Sequence, residues 1–148
     1  MAKTIFDPAA RDEVVARIAS VDGAMRPRWG KMNAQQMLAH LVESMRMATG
    51  EVRPKSKKLP IRYTPLRQLI VYLLPFPKGA PTVPELMPSD PRSVDENRAE
   101  LQRLVREVSS RADHKDWPEH PAFGNLSRRG WGVLVYRHAD HHLRQFGV

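Results

Sequence analysis

Three imidazoles fall within five residues near the C-terminus, in Arg137-His138-Ala139-Asp140-His141-His142-Leu143-Arg144-Gln145. The run lies in a stretch with helical periodicity. At about 100° per residue, Trp131, Leu134, Val135, His138 and His142 share roughly 100° of arc. Arg129, Arg137, Asp140 and Arg144 fall on the other side. Two histidines therefore sit in the middle of a face that must be buried. Buried polar nitrogens cost about 1–3 kcal/mol each when left without partners. Any fold for this chain has to satisfy them. At i, i+4 their Cβ atoms are about 5–6 Å apart, close enough to share one ion. His141 has similar spacing to His138 but points to the edge of the arc, toward Leu134 and Arg137, which favours His142 for the pair.

The rest of the chain supplies helices around that face. Asp7-Pro8 opens the first, with a side-chain acceptor at the cap and proline at the first helical position. Ala10, Val14, Ile18 and Val21 follow at helical spacing, and Asp22-Gly23 ends it. Met25 to Lys31 reads as a loop, with Trp29 anchoring it to the core. Asn33 caps a second helix from Ala34 to about Thr49, stopped by Gly50. His40 lies at the edge of its apolar face, with Gln36 and Glu43 as polar neighbours. Thr64-Pro65 opens a short helix, Leu66 to Leu74, apolar nearly all round and so expected to be buried or to cover something. Six of the thirteen prolines lie between Pro75 and Pro91, which predicts an extended, turn-rich connection able to line a site. Ser93-Val94-Asp95-Glu96 is a capping box for a helix to about Ser110. Arg111 to Leu126 is irregular. Ser127 caps the last helix, which runs to about Gln145.

Four substantial helices, one short extra helix and no convincing strand predict a single all-α domain over residues 1–148, with long crossover connections. The chain has no cysteine, so a metal here must be held by nitrogen and oxygen. The N-terminus shows no apolar signal region, and the longest apolar run, Leu69 to Leu74, is far short of the roughly 20 residues that span a bilayer. The expectation is a cytoplasmic protein with no membrane partner. The net charge of +8 raises nucleic acid as a partner. Yet the charge is spread out. Its densest cluster, Lys55, Lys57, Lys58, Arg62 and Arg67, lies in a proline-containing segment without a recognition-helix pattern.

Two stretches carry a family resemblance. Trp29-Gly30-Lys31-Met32-Asn33-Ala34-Gln35-Gln36-Met37-Leu38-Ala39-His40-Leu41 resembles the second-helix signature of the DinB-like superfamily, and His138 to Gln145 resembles its last-helix signature. His120-Pro121-Ala122-Phe123-Gly124-Asn125-Leu126 and the ending Arg144-Gln145-Phe146-Gly147 look like one branch of unknown function. The resemblance implies a four-helix bundle holding one divalent ion, zinc, nickel or iron, on His40, His138 and His142. It also implies a metal-dependent enzyme, either a hydrolase or a low-molecular-weight-thiol S-transferase. The substrate would be a small molecule, with a thiol as one class, and a homodimer is an open reading. Three imidazoles leave coordination positions free, as catalytic rather than structural sites do. Gln36, His141 and Gln145 are expected to support the ligands, and Glu43 is the candidate general base. His120 is a further lining candidate, and Asp140 faces away. The alternative is a non-catalytic binding module whose basic surface meets nucleic acid or another anionic partner.

Overall fold

The computed structural model describes residues 1–80, 82, 84–88 and 92–148. Among these residues five α-helices carry the fold: α1 Pro8–Ala19, α2 Ala34–Thr49, α3 Leu66–Tyr72, α4 Val94–Ser110 and α5 Arg128–Gln145. Two 3-10 turns, Pro60–Arg62 and Pro84–Leu86, interrupt the long connections. Among the described residues there is no strand, only an isolated bridge between His120 and Gly124. Pro81 and Pro91 of the proline-rich connection lie outside the described residues.

Local chemistry sets most helix ends. Asn33 accepts from the Gln36 backbone N–H while the Gln36 side chain accepts from the Asn33 N–H, a reciprocal cap on α2. Ser93 and Glu96 do the same for α4, and Ser127 accepts from the Gly130 N–H at the start of α5. Gly50 closes α2 at φ 84°. α1 differs from expectation at both ends. Asp7 makes no side-chain cap to the helix, because its Oδ2 accepts from the Thr4 N–H instead. The helix stops at Ala19, before Asp22-Gly23, and Val21 is buried from the turn that follows.

α2 packs along α4, α1 packs against α4 and α5, and α2 also meets α5. Ile18, Leu38, Leu41, Leu101, Leu104 and Leu143 are fully buried between them. Burying such a side chain contributes about 1.5–3 kcal/mol, so this aliphatic interior dominates stability. The N-terminal segment crosses α5, where the Ile5 N–H donates to the Gly132 carbonyl at 3.0 Å. A Cβ on Gly132 would lie 2.4 Å from Thr4 Oγ1 and 2.5 Å from the Phe6 ring, so the crossing requires glycine.

α3 is not buried all round. Only Val71 is fully enclosed, and Leu66, Leu69, Leu73 and Leu74 remain exposed. One turn of apolar contact against α5 is what a helix of seven residues can bury. Arg137 of α5 secures it, donating to the carbonyls of Ile70 at 2.8 Å and Val71 at 2.6 Å and also to Leu74. These are C-terminal carbonyls of a helix, which a guanidinium satisfies well.

Candidate metal centre

The facing surfaces of α2 and α5 bring His40, His138 and His142 together. One ring nitrogen from each lies within 4.8 Å of the others. The ring centroids form a near-equilateral triangle, 5.0 Å between His40 and His138, 4.9 Å between His40 and His142, and 4.8 Å between His138 and His142.

Two of the rings are oriented from behind. His40 Nδ1–H donates to the Leu86 carbonyl at 3.1 Å, which holds the proton on Nδ1 and leaves the Nε2 lone pair free. His142 Nδ1–H donates to Gln145 Oε1 at 2.8 Å. The Gln145 amide nitrogen in turn donates to the Trp29 carbonyl at 2.7 Å, so its amide orientation is fixed at both ends. Gly30 makes room for this: with φ 81°, a Cβ there would sit 2.6 Å from Gln145 Nε2. Gln145 thus joins His142 to the Trp29 backbone. A hydrogen bond on the far nitrogen of a ligating imidazole is the usual way to fix tautomer and ring orientation.

His40 Nε2 and His138 Nε2 are 3.1 Å apart. Two nitrogens about 2.0–2.1 Å from one tetrahedral ion would be about 3.3 Å apart, so this one pair is spaced for a shared ion, and also for a hydrogen bond between the two rings. Electrostatics agree. Burial lowers the basicity of His40. Burial followed by the neighbouring His142 and His40 charges holds His138 well below the usual imidazole range. Burial, then the His40 charge, pushes His142 down to about 3. All three rings are neutral at pH 7, as metal ligands must be.

The centre opens on a cavity of about 920 Å³ between α2, α3, α5 and the proline-rich connection. Leu74, Phe76, Leu86, Phe123, Trp131 and Val135 form much of its wall. α3 lines it through Ile70, so the short helix covers the site although it is not itself buried. Among the described lining residues none is Asp or Glu.

The structure does not bring every predicted residue to this cavity. Glu43 is the main correction. Its carboxylate accepts from Arg46 at 2.7 Å, and Arg46 reaches Glu100 of α4 at 3.1 Å. It faces the neighbouring helix rather than the histidines, so it is not placed as a general base. Gln36 is spent on the α2 cap and does not support a ligand. Asp140 pairs with Arg17 of α1 at 2.8 Å, consistent with its predicted position away from the site. His141 stands beside the triad without joining it. Its ring lies edge-on to Trp29 at 5.6 Å, near Phe76 at 5.9 Å, and it lines the cavity. Trp29 is a half-buried wall residue rather than a core anchor, with the Lys78 ammonium 4.6 Å over its ring. His120 lines the cavity from the irregular segment. The Leu86 carbonyl had no signal in the sequence, since any residue can offer one.

The basic cluster is divided. Lys55, Lys57 and Lys58 are exposed. Arg62 pairs with Glu119, and Arg67 donates to the carbonyls of Arg62, Phe123 and Asn125. Those two guanidiniums tie the loop down. No helix among the described residues is long and apolar enough to cross a membrane.

A family model described as a protein of unknown function, DUF1569, matches residues 4–147. The chain belongs to that family. No curated protein and no solved structure matches it.

Proposed function

We propose that this DUF1569 protein is a metal-dependent enzyme of the DinB-like kind, a four-helix bundle of α1, α2, α4 and α5 with one divalent ion held by His40, His138 and His142. The observation that carries the reading is the convergence of one ring nitrogen from each histidine within 4.8 Å, with His40 and His142 held from behind by Leu86 and Gln145. The donor set, three neutral nitrogens and no sulfur, suits zinc, nickel or iron(II).

When bound, the ion supplies Lewis acidity toward a water or a thiol, which makes hydrolysis and thiol S-transfer the two reactions in reach. The chain's own residues do the rest. Phe76, Trp131 and Val135 give the approach an apolar wall. No carboxylate stands at the described wall, so proton transfer falls to His141, whose half-buried ring borders both His142 and the cavity. Burial lowers its basicity, which favours the neutral ring, the form that can accept a proton, while making it a weaker base.

The test is a panel of hydrolytic and thiol-acceptor assays on protein loaded separately with zinc, nickel and iron(II). Turnover that requires the ion and falls in His141→Ala supports the reading. Metal-loaded protein inactive across both reaction classes would refute catalysis.

A further inference from the structure

We infer that His120 anchors the anionic oxygen head of a ligand whose apolar body fills the cavity, so that the substrate class is a hydrophobic carboxylate. This rests on the reading of that cavity as the substrate site.

His120 belongs to no helix, yet its ring is held firmly. Nδ1 accepts from the backbone N–H groups of Ala122 and Phe123, both at 3.1 Å. This is the contact that Asn and Asp make in Asx turns. The bridge between His120 and Gly124, with hydrogen bonds of 2.9 and 2.8 Å, closes the same turn. The Phe123 ring, 4.9 Å away, and the Trp131 ring, 5.4 Å away, flank the imidazole. A nitrogen that accepts two N–H donors carries no proton of its own. The neutral ring therefore carries its single proton on Nε2, at its opposite edge. Burial, and then the Arg62 charge, push the ring down to about 3, which favours the neutral form, while the two contacts at Nδ1 select the tautomer.

That Nε2–H has no protein partner among the described residues, on a side chain that lines the cavity. It has no lone pair to offer an ion, so His120 is not a fourth ligand in this arrangement. It is a donor waiting for an acceptor. The rest of the wall selects the acceptor's charge and body. No described carboxylate opposes an anion there, and Lys31 adds a cation to the lining. The remainder is mostly apolar: Ile61, Ile70, Leu74, Phe76, Leu86 and Leu134. A cavity of about 920 Å³ accepts a body of ten or so carbons with room for a reacting partner. A hydrogen bond to a charged acceptor in such surroundings is stronger than one to a neutral group.

Isothermal titration of metal-free protein with decanoate, decanol and decylammonium tests this directly. Decanoate should bind at least about tenfold more tightly than either other probe. In His120→Asn, whose Oδ1 can still accept the turn's N–H groups, the advantage over decanol should shrink to about twofold or less while metal content and melting temperature hold. Equal binding of decanoate and decanol by the wild-type chain overturns the inference without recourse to any variant. So does an undiminished preference in folded His120→Asn. Metal content of the same preparations reports on the histidine triad alone. Carboxylate preference in a chain that takes up no metal upholds the anchor and refutes the centre, and metal uptake without preference does the reverse.

Discussion

α2 has two working faces, and they treat polarity in opposite ways. Toward α4 its charged side chains are matched with opposite charge: Glu43 with Arg46, and Arg46 with Glu100. Between them the interior is aliphatic. Toward α5 it presents His40 to two more histidines, with no acidic residue among the described residues that line the large opening alongside. Burial, and after it the charge that a neighbouring imidazole would carry, make His138 and His142 weakly basic. The first face is arranged so that nothing more is needed. The second gathers three imidazoles closely enough to hold an ion.

The largest effects should separate the faces. Leu104→Ala, on the closed side, should cost about 2–5 kcal/mol in urea unfolding, as cavity-forming core substitutions do, and leave metal uptake intact. His138→Ala and His142→Ala should abolish metal uptake, with no comparable loss of stability in the metal-free state. A substitution on the histidine side that unfolded the metal-free chain would erase the distinction.

Acid should also act on the two sides in different windows. The folded value for His142 is about 3 and for His120 about 3, against about 6.5 in an unfolded chain. Above that unfolded value both states are neutral and nothing is lost. As pH falls below it the unfolded state binds protons that the folded state refuses, so metal-free protein loses stability progressively down to about 3. Glu100, lowered to about 2 by Arg103 and then Arg46, stabilises the fold above its ordinary value of 4.5 and loses that contribution only as pH falls toward 2. Urea titrations from pH 7.5 to 4.5 should therefore show a decline that His142→Ala reduces and Glu100→Gln does not.

A subtler effect is expected from Gly30→Ala. The new Cβ would displace the Gln145 amide, and His142 would lose its orientation. Metal affinity should fall about 10–100-fold with all three ligands still present. Unchanged affinity would show that the Gln145 contact is incidental. The smallest effect is on the paired face, where Arg46→Met should cost about 1 kcal/mol, typical of partly exposed ion pairs, and leave metal binding alone.

What could be read from the sequence follows from the range of each interaction. Asn33, Ser93 and Ser127 act on N–H groups a few residues away, so the starts of α2, α4 and α5 were legible. Helical periodicity likewise placed His142 inside and His141 at the edge, as found. Periodicity gives a face but not the neighbour across it. Glu43 and His40 are three residues apart on α2, and only the packing shows that one turns to α4 and the other to α5. The choice of His40 as third ligand came from the resemblance to a known pattern rather than from spacing. The apolar composition of α3 left burial and covering as alternatives, and α3 covers the cavity, because composition does not state how much partner surface is available. The hydrogen-bond role of His120 depends on a turn in an irregular stretch, where no period exists to reveal it.

The central claim is that the histidine face is completed by an ion. Metal analysis and thermal melting of untagged protein test it together. The account predicts about one divalent ion per chain, retained in His141→Ala and absent from His142→Ala. It also predicts a melting temperature that a chelator lowers and that zinc, nickel or iron(II) restores. Protein free of metal, with melting unmoved by all three ions, would contradict it.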